Sequence, residues 1–402
     1  LSETEFIDRM VSMTLGADGT PTPQQTPYPG YPPPGYPPPG YPQQPYYPQQ
    51  GYYPPPGYYP QQGYGYYPPP APEALKPGIV ALRPLKLSDI FNGAVSYIRL
   101  NPKASLGLTA TVVIIAQVIA LLIQIGPMTS LTALSPETFG GSGATDLSDP
   151  AFLGLIVSSL AGTATTTIAA IVLSGLLTVV IGRSVFGAKI TAGEAWQRAR
   201  GRLLPLLAFT LLEVVAVVII VAIAAGVTAV AYSAVGVGAA VAVGLLVTLA
   251  VFALLIWGGT LLIFAPVAIV LERVGIVDSI TRSLALVRND FWRVLGIWML
   301  ATLVASFIAG AVSMPFSFGG QIMLMTNPTT AMTVIAAVLI SIGGAIGQII
   351  TMPFTAGAIV LLYTDRRIRA EAFDLVLQSG ATHRTDDAGE AIDQLWLTPA
   401  RP

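Results

Sequence analysis

From Leu203 to Leu271 the chain runs sixty-nine residues with one charged side chain, Glu213. A soluble core has no use for so long an apolar run, whereas roughly 20 such residues cross a bilayer as a helix. The run is too long for one crossing and right for two, with a turn predicted near Tyr232-Ser233 and Gly236-Val237-Gly238. The chain therefore reads as a multi-pass membrane protein.

The same unit recurs on either side. Leu87, Ile90, Phe91, Ala94 and Ile98 repeat at helical spacing behind Ser88-Asp89, which predicts a short amphipathic helix. It ends at Asn101-Pro102-Lys103, and crossings follow from about Ala104 to Ile125 and from Ala151 to Gly182. Thr191-Ala192-Gly193-Glu194 is a capping-box signature, opening a second short helix before the Leu203–Leu271 pair. Val277, Ile280, Leu284, Val287 and Phe291 form the stripe of a third, ahead of crossings from Val294 to Met314 and from Ala331 to Tyr363. A basic amphipathic helix from Asp365 to about Gln378 is expected to continue the last span.

The fold class is thus an all-α membrane protein: six transmembrane helices as three hairpins, each preceded by a short amphipathic interfacial helix. Lys103, Arg202 and Arg293 stand at matching points, ninety-nine and then ninety-one residues apart, as expected of an internally repeated membrane domain. Three parts follow: a cytoplasmic tail at 1–84, the membrane domain at 85–378, and a polar C-terminal tail at 379–402.

None of the twenty Lys and Arg residues falls in the connections around 126–150, 232–238 and 315–330. Loops rich in Lys and Arg stay on the cytoplasmic side, which places both termini in the cytoplasm and the chain in the cell membrane.

Composition closes several functional classes. There are no cysteines and one histidine, His383, so thiolate chemistry, a His-based triad and a multi-His metal site are all excluded. A formal net charge of −1 gives no basic face for nucleic acid. No cofactor is expected, and no nucleophile–base set argues for an enzyme.

Residues 21–72 contain no Lys, Arg, Asp or Glu, and thirteen of the sixteen tyrosines lie between Tyr28 and Tyr67. Pro-Pro-Pro-Gly-Tyr recurs at Pro32–Tyr36, Pro37–Tyr41 and Pro54–Tyr58. Proline fixes φ and removes amide donors, so a disordered chain of polyproline II character is expected. It is either a plain tether or a multivalent sticker for protein partners or self-association, since tyrosine rings stack and proline-rich segments dock into aromatic grooves.

Within the spans Glu213 is the one ionisable residue far from an end. It lies ~15 Å along its helix at 1.5 Å per residue, and intramembrane carboxylates mark ion or substrate paths or are packed against polar neighbours. Gln117 and Gln348 complete the candidate intramembrane polar site, with Gln124 a further buried amide. Arg198, Arg200, Arg202, Arg288, Arg293, Arg366, Arg367 and Arg369 ring the basic side and are candidate contacts to lipid headgroups, each contributing ~1 kcal/mol beside anionic lipid.

Leu87-Ser88-Asp89-Ile90-Phe91, the stretch from Phe264-Ala265-Pro266 to Arg288-Asn289-Asp290-Phe291-Trp292, and Tyr363-Thr364-Asp365-Arg366-Arg367-Ile368-Arg369 carry a resemblance over residues 85–378. The chain resembles uncharacterised proline- and tyrosine-rich actinobacterial membrane proteins related to the glycerophosphoryl diester phosphodiesterase membrane domain. In some relatives this domain is fused to a phosphodiesterase barrel. Everything outside the spans here is tail, short helix or loop, so the resemblance implies membrane location without that activity. The expectation is a non-catalytic scaffold or accessory factor in membrane or cell-envelope processes. A small-molecule, ion or lipid transporter built around Glu213 is the alternative.

Overall fold

The computed structural model describes residues 78–80, 83–132, 150–326, 329–382 and 393–397, all within the unit Pro69–Pro402. The Pro/Tyr-rich stretch at 21–72 lies outside the described residues. Contacts begin at Val80, which is buried, and at Ile79, whose N–H donates to the Ser184 carbonyl.

Helix α1 is Leu87–Leu100. Asp89 at its third position accepts from the Lys86 N–H at 3.0 Å, closing the first turn. Ile90, Gly93, Ala94 and Tyr97 are its buried residues, the i, i+3, i+4, i+7 pattern of one helical face. One wide turn, Lys103–Gly107, leads into α2, Leu108–Thr132, and α3 follows at Pro150–Val185. Buried Asn101 ties this hairpin together. Its Nδ2 donates to Ser184 Oγ at 2.9 Å, and its Oδ1 accepts from the Ile190 N–H at 3.2 Å.

The second short helix, α4, is Ala192–Ala199, and the predicted capping box forms between Thr191 and Glu194. A tight turn at Arg200–Arg202 starts α5, Leu203–Val235. Gly236 at φ 95 makes the hairpin turn into α6, Val237–Leu262, a backbone conformation that only glycine adopts without strain. The chain breaks before Pro266 and resumes as α7, Ala265–Leu271. Ser283 of α8, Ile276–Val287, serves that break: its hydroxyl donates to the Leu261 carbonyl at 2.6 Å and accepts from the Phe264 N–H at 3.2 Å.

The third hairpin pairs α9, Phe291–Thr326, with α10, Thr330–Glu371. A Cβ at Gly343 would lie 2.6 Å from Phe316 Cβ, and one at Gly347 would lie 3.3 Å from Ala309 Cβ. Small residues here let the two backbones approach. Both helices outrun the expected spans. Pro315 sits inside α9 rather than ending it, and α10 carries straight through Asp365 to Glu371. The i,i+4 pairs Asp365–Arg369 and Arg367–Glu371 support that extension. A left-handed residue, Ala372 at φ 52, then turns the chain into α11, Phe373–Thr382.

Six helices are long and apolar enough to cross a membrane, and no strand occurs among the described residues. Their pairing gives three hairpins, each behind a short helix. The α5–α6 hairpin packs mainly on itself and exposes Leu211, Val218, Ile223, Leu246 and Phe252, a surface suited to hydrocarbon rather than water. The close-packed core lies at the arginine-rich end, around Tyr97, Ile181, Phe264, Leu361 and Tyr363. There α1 runs antiparallel to the end of α10: Leu85 meets Asp365, Gly93 meets Leu361, and Tyr97 meets Gly357 and Pro353. At 1.5 Å per residue α10 is roughly 63 Å long against a hydrocarbon layer of about 30 Å, so a large part of it projects.

Candidate functional site

Three consecutive charged residues on α10 point to three different neighbours, because each residue advances about 100° around a helix. Asp365 is fully buried and accepts from the Leu85 N–H at 2.8 Å and from Arg369 Nε at 2.9 Å. Arg293 of α9 completes its shell at 3.0 Å. Arg293 and Arg369 also donate to the Leu85 carbonyl at 2.7 and 3.3 Å, so both backbone groups of the residue leading into α1 are held. Arg366 turns the other way, donating through Nε to the Leu286 carbonyl at 3.0 Å and pairing with Asp290.

Arg367 faces the end of α7. There Glu272, its side chain 1% exposed, is held by two nitrogens of Arg282, with Nε at 3.0–3.1 Å and Nη2 at 3.1 Å. Tyr363 donates its hydroxyl to the same carboxylate, and Arg367 lies 3.6 Å away. Glu371 closes the circuit by accepting from Arg367 Nε at 3.0 Å and Arg282 Nη2 at 2.7 Å. Two carboxylates and two guanidiniums thus neutralise one another. Burial works against the charge on Arg282, yet hydrogen bonds and charge from Glu371 and Glu272 hold its pKa above the ordinary guanidinium value. Arg367 also stacks on Phe373, 4.2 Å from the ring centre, and donates to the Trp396 carbonyl at 3.0 Å.

The last described segment, 393–397, seats against α3 and α4. Asp393 accepts from Arg183 Nε at 3.2 Å and from Arg198 Nε at 2.7 Å. Trp396 is buried edge-on against Phe186 and beside Phe373.

The intramembrane amides lie elsewhere. Gln117 of α2 and Gln348 of α10 line one small cavity with Thr166 of α3, of about 10 Å³, barely one water in volume. On its other side Gln117 joins Gln124 and Ser341 around a space of about 300 Å³ between α2 and α10. Glu213 is not part of either. It is half-buried on α5 and makes no ion pair or hydrogen bond among the described residues. The structure therefore brings Gln117 and Gln348 together and leaves Glu213 apart.

The eight arginines assigned to headgroups separate into two sets. Arg366 and Arg367 are buried in internal ion pairs, Arg293 and Arg369 share Asp365, and Arg198 holds Asp393. Arg200 and Arg288 are exposed and Arg202 is half-buried, and none of the three has an ion pair among the described residues. Sequence reasoning placed neither Glu272, Tyr363, Asp365 nor Arg183 in a candidate site. The available signal was the acid–base spacing Asp365–Arg369 and Arg367–Glu371, and an acid, Glu272, at the edge of a long uncharged run. No three His, Asp or Glu side chains converge as a metal site among the described residues.

A family model described as "Domain of unknown function (DUF7847)" matches residues 85–366. The chain belongs to this family. The match takes in Asp365, Glu272, Arg282 and Arg293, and stops before Arg367, Glu371 and the 393–397 segment. No curated protein and no solved structure matches the chain. Nothing in the match links the chain to a glycerophosphoryl diester phosphodiesterase membrane domain or to actinobacteria.

Proposed function

We propose that this chain is a non-catalytic scaffold or accessory protein of the cell membrane, with both termini cytoplasmic, which gathers protein partners through residues 21–72. The supporting observation is the arrangement at the arginine-rich end. Its buried acids and bases are spent on one another, in pairs that join the end of α7 to α8 and α10, α10 to α9, and the 393–397 segment to α3 and α4. Such a lattice fixes a platform. Exposed Arg200 and Arg288, with half-buried Arg202, are the remaining contacts for anionic lipid. Any kinship with the glycerophosphoryl diester phosphodiesterase membrane domain concerns the membrane part alone.

The test is a pull-down from native membranes with the full chain and with residues 21–72 deleted, at matched abundance. Loss of specific partners on deletion is expected, and serine in place of the thirteen tyrosines between Tyr28 and Tyr67 should give the same loss. An unchanged partner set would sink the scaffold reading.

One observation favours transport or lipid handling instead: the space of about 300 Å³ beside Gln117, Gln124 and Ser341. If transport runs instead by way of Glu213, which lies apart from that space, Glu213→Gln abolishes function at normal abundance, because a carboxylate in a transport cycle must ionise. On the scaffold reading the same substitution is silent.

A further inference from the structure

The inference concerns the space between α2 and α10. Gln117 and Gln124 stand seven residues apart on α2, and Ser341 and Gln348 stand seven apart on α10. Seven residues are nearly two turns, so each pair shares one helical face and spans about 10 Å. The two faces meet. Gln117, Gln124, Ser341 and Gly344 line the space of about 300 Å³, and Gln117 and Gln348 line the smaller cavity with Thr166. Gln117 borders both, so the polar groups form one row. Gln124 stands at the end of the candidate span Lys103–Gly126 remote from the arginine-rich core, and Gln117 lies nine residues before Gly126. That is ~14 Å into the layer, close to the middle of about 30 Å of hydrocarbon.

Polar side chains between membrane helices ordinarily hydrogen-bond across the interface. These do not: Gln117, Gln124, Ser341 and Gln348 make no side-chain hydrogen bond among the described residues. Thr351 and Thr355, on the same helix as Ser341, instead donate to carbonyls one turn back. Thr166 spends its donor on the Thr163 carbonyl at 2.9 Å and keeps its oxygen as an acceptor. Hydrocarbon satisfies none of these groups, so the row is arranged for a hydrogen-bonding guest.

Two glycines shape the space. Gly162 of α3 is buried, and a Cβ there would lie 2.6 Å from Gln124 Nε2, so the missing side chain is what seats that amide. Gly344 is part of the wall, and a Cβ there would meet nothing within 4 Å. Val112, Val113, Leu173 and Met352 close the deep end, which makes the slot blind.

The chemistry of the wall selects the guest. Every described lining residue is uncharged, so nothing there compensates the dehydration of an ion. A carboxylate only accepts and an ammonium only donates, whereas a hydroxyl does both through one atom. A run of hydroxyls therefore answers a row of amides. A volume of about 300 Å³ is at the lower end for ligand pockets, so the molecule is small.

We propose that Gln117, Gln124, Ser341 and Gln348 form a blind binding slot for a small uncharged polyol, entered from the end of the bundle remote from the arginine-rich core. The slot needs neither residues 21–72 nor Glu213, so it stands or falls separately from the scaffold and transport readings.

The chain has no cysteine, so a single introduced thiol reports alone. The full chain carrying Gly344→Cys is placed in phosphatidylcholine nanodiscs, and its modification by neutral hydroxyethyl methanethiosulfonate is timed relative to free cysteine. Gly226→Cys is the hydrocarbon-facing reference, at an exposed position on α5 where a Cβ meets nothing within 4 Å. The thiolate is the reacting form and needs polar surroundings, so Gly344→Cys should react about tenfold faster than the reference or more. Erythritol should slow the reaction saturably at 344 and leave it unchanged at 226. Adding Gln117→Leu should raise the half-protecting concentration about tenfold, as the loss of one hydrogen-bonding partner. Trimethylammonium and sulfonate reagents, again relative to free cysteine, should react more slowly at 344 than the neutral one. A rate at 344 no faster than at 226 overturns the slot. A fast rate that erythritol leaves unchanged assigns water alone and overturns the polyol site, and equal rates with charged reagents overturn its selectivity. Ser341→Cys, which exchanges oxygen for sulfur, gives the same reading should Gly344→Cys fail to fold.

Discussion

Replacing Glu272 by glutamine tests whether the ion-pair lattice holds the arginine-rich end together. Glutamine keeps the side chain's size and one carbonyl for the Tyr363 hydroxyl, so packing is nearly unchanged while the charge is gone. Removing one partner of a buried ion pair costs about 3–5 kcal/mol, because the other charge stays buried and unpaired. Two features of the site place the cost at the lower end. Arg282 keeps Glu371 at 2.7 Å and its side chain is 18% exposed, so water takes up part of the lost interaction. Arg367, at 4%, has no such access but also keeps Glu371, at 3.0 Å. The expected loss is therefore about 3 kcal/mol.

A double-mutant cycle separates the pair from general disruption. Arg282→Met alone leaves Glu272 with Tyr363 and Arg367 but without its bidentate partner, weakens Glu371, and should cost a similar amount. Glu272→Gln with Arg282→Met removes both charges, so the double variant should be less destabilised than the sum of the singles by about 1.5 kcal/mol or more. The measurement is reversible unfolding of the full chain in mixed micelles, titrated with denaturing detergent and followed by helical signal and by tryptophan fluorescence. A single-variant cost under about 0.5 kcal/mol, or additive singles, would refute the argument that these charges are mutually neutralising.

Two further outcomes follow from the same packing. Tyr97 is buried and donates its hydroxyl to the Pro353 carbonyl, and burial raises its pKa well above the ordinary 10.0. Its folded pKa exceeds its unfolded one, so its contribution is complete below about pH 10 and is lost as the pH rises beyond that. Tyr97→Phe should cost about 1 kcal/mol at neutral pH and make the alkaline decline shallower in a pH series of melts, whereas an unaltered decline would remove Tyr97 from the account. Ala372 closes α10 in the left-handed region at φ 52, ψ 40, a conformation costing a non-glycine residue roughly 1–2 kcal/mol. After the greater flexibility of glycine in the unfolded chain is subtracted, Ala372→Gly should stabilise by about 0.5–1 kcal/mol in the same unfolding titration, and a loss of stability would contradict the assigned backbone geometry.

What the sequence disclosed and what it withheld divide along a physical line. Apolar length is local information, so the Leu203–Leu271 run could be cut into two helices at Gly236 without knowing what either touches. Caps are local too: Thr191 and Glu194 meet because they are three residues apart. The site is a different kind of object. Arg367 sits in a basic segment behind a span whether it faces a headgroup or Glu272, and a separation of ninety-five positions between those two leaves no periodicity to detect. The same holds for Gln117 and Gln348, which share a cavity only because α2 and α10 are rotated toward one another, and for Glu213, whose depth was readable but whose facing was not. The helix expected to continue the last span from Asp365 does continue it, as far as Glu371, and the i,i+4 pairs that carry it on are present in the sequence. A charged residue just beyond a span is therefore ambiguous between membrane contact and internal lattice, and the acid placed four residues from it is the sequence feature that favours the lattice.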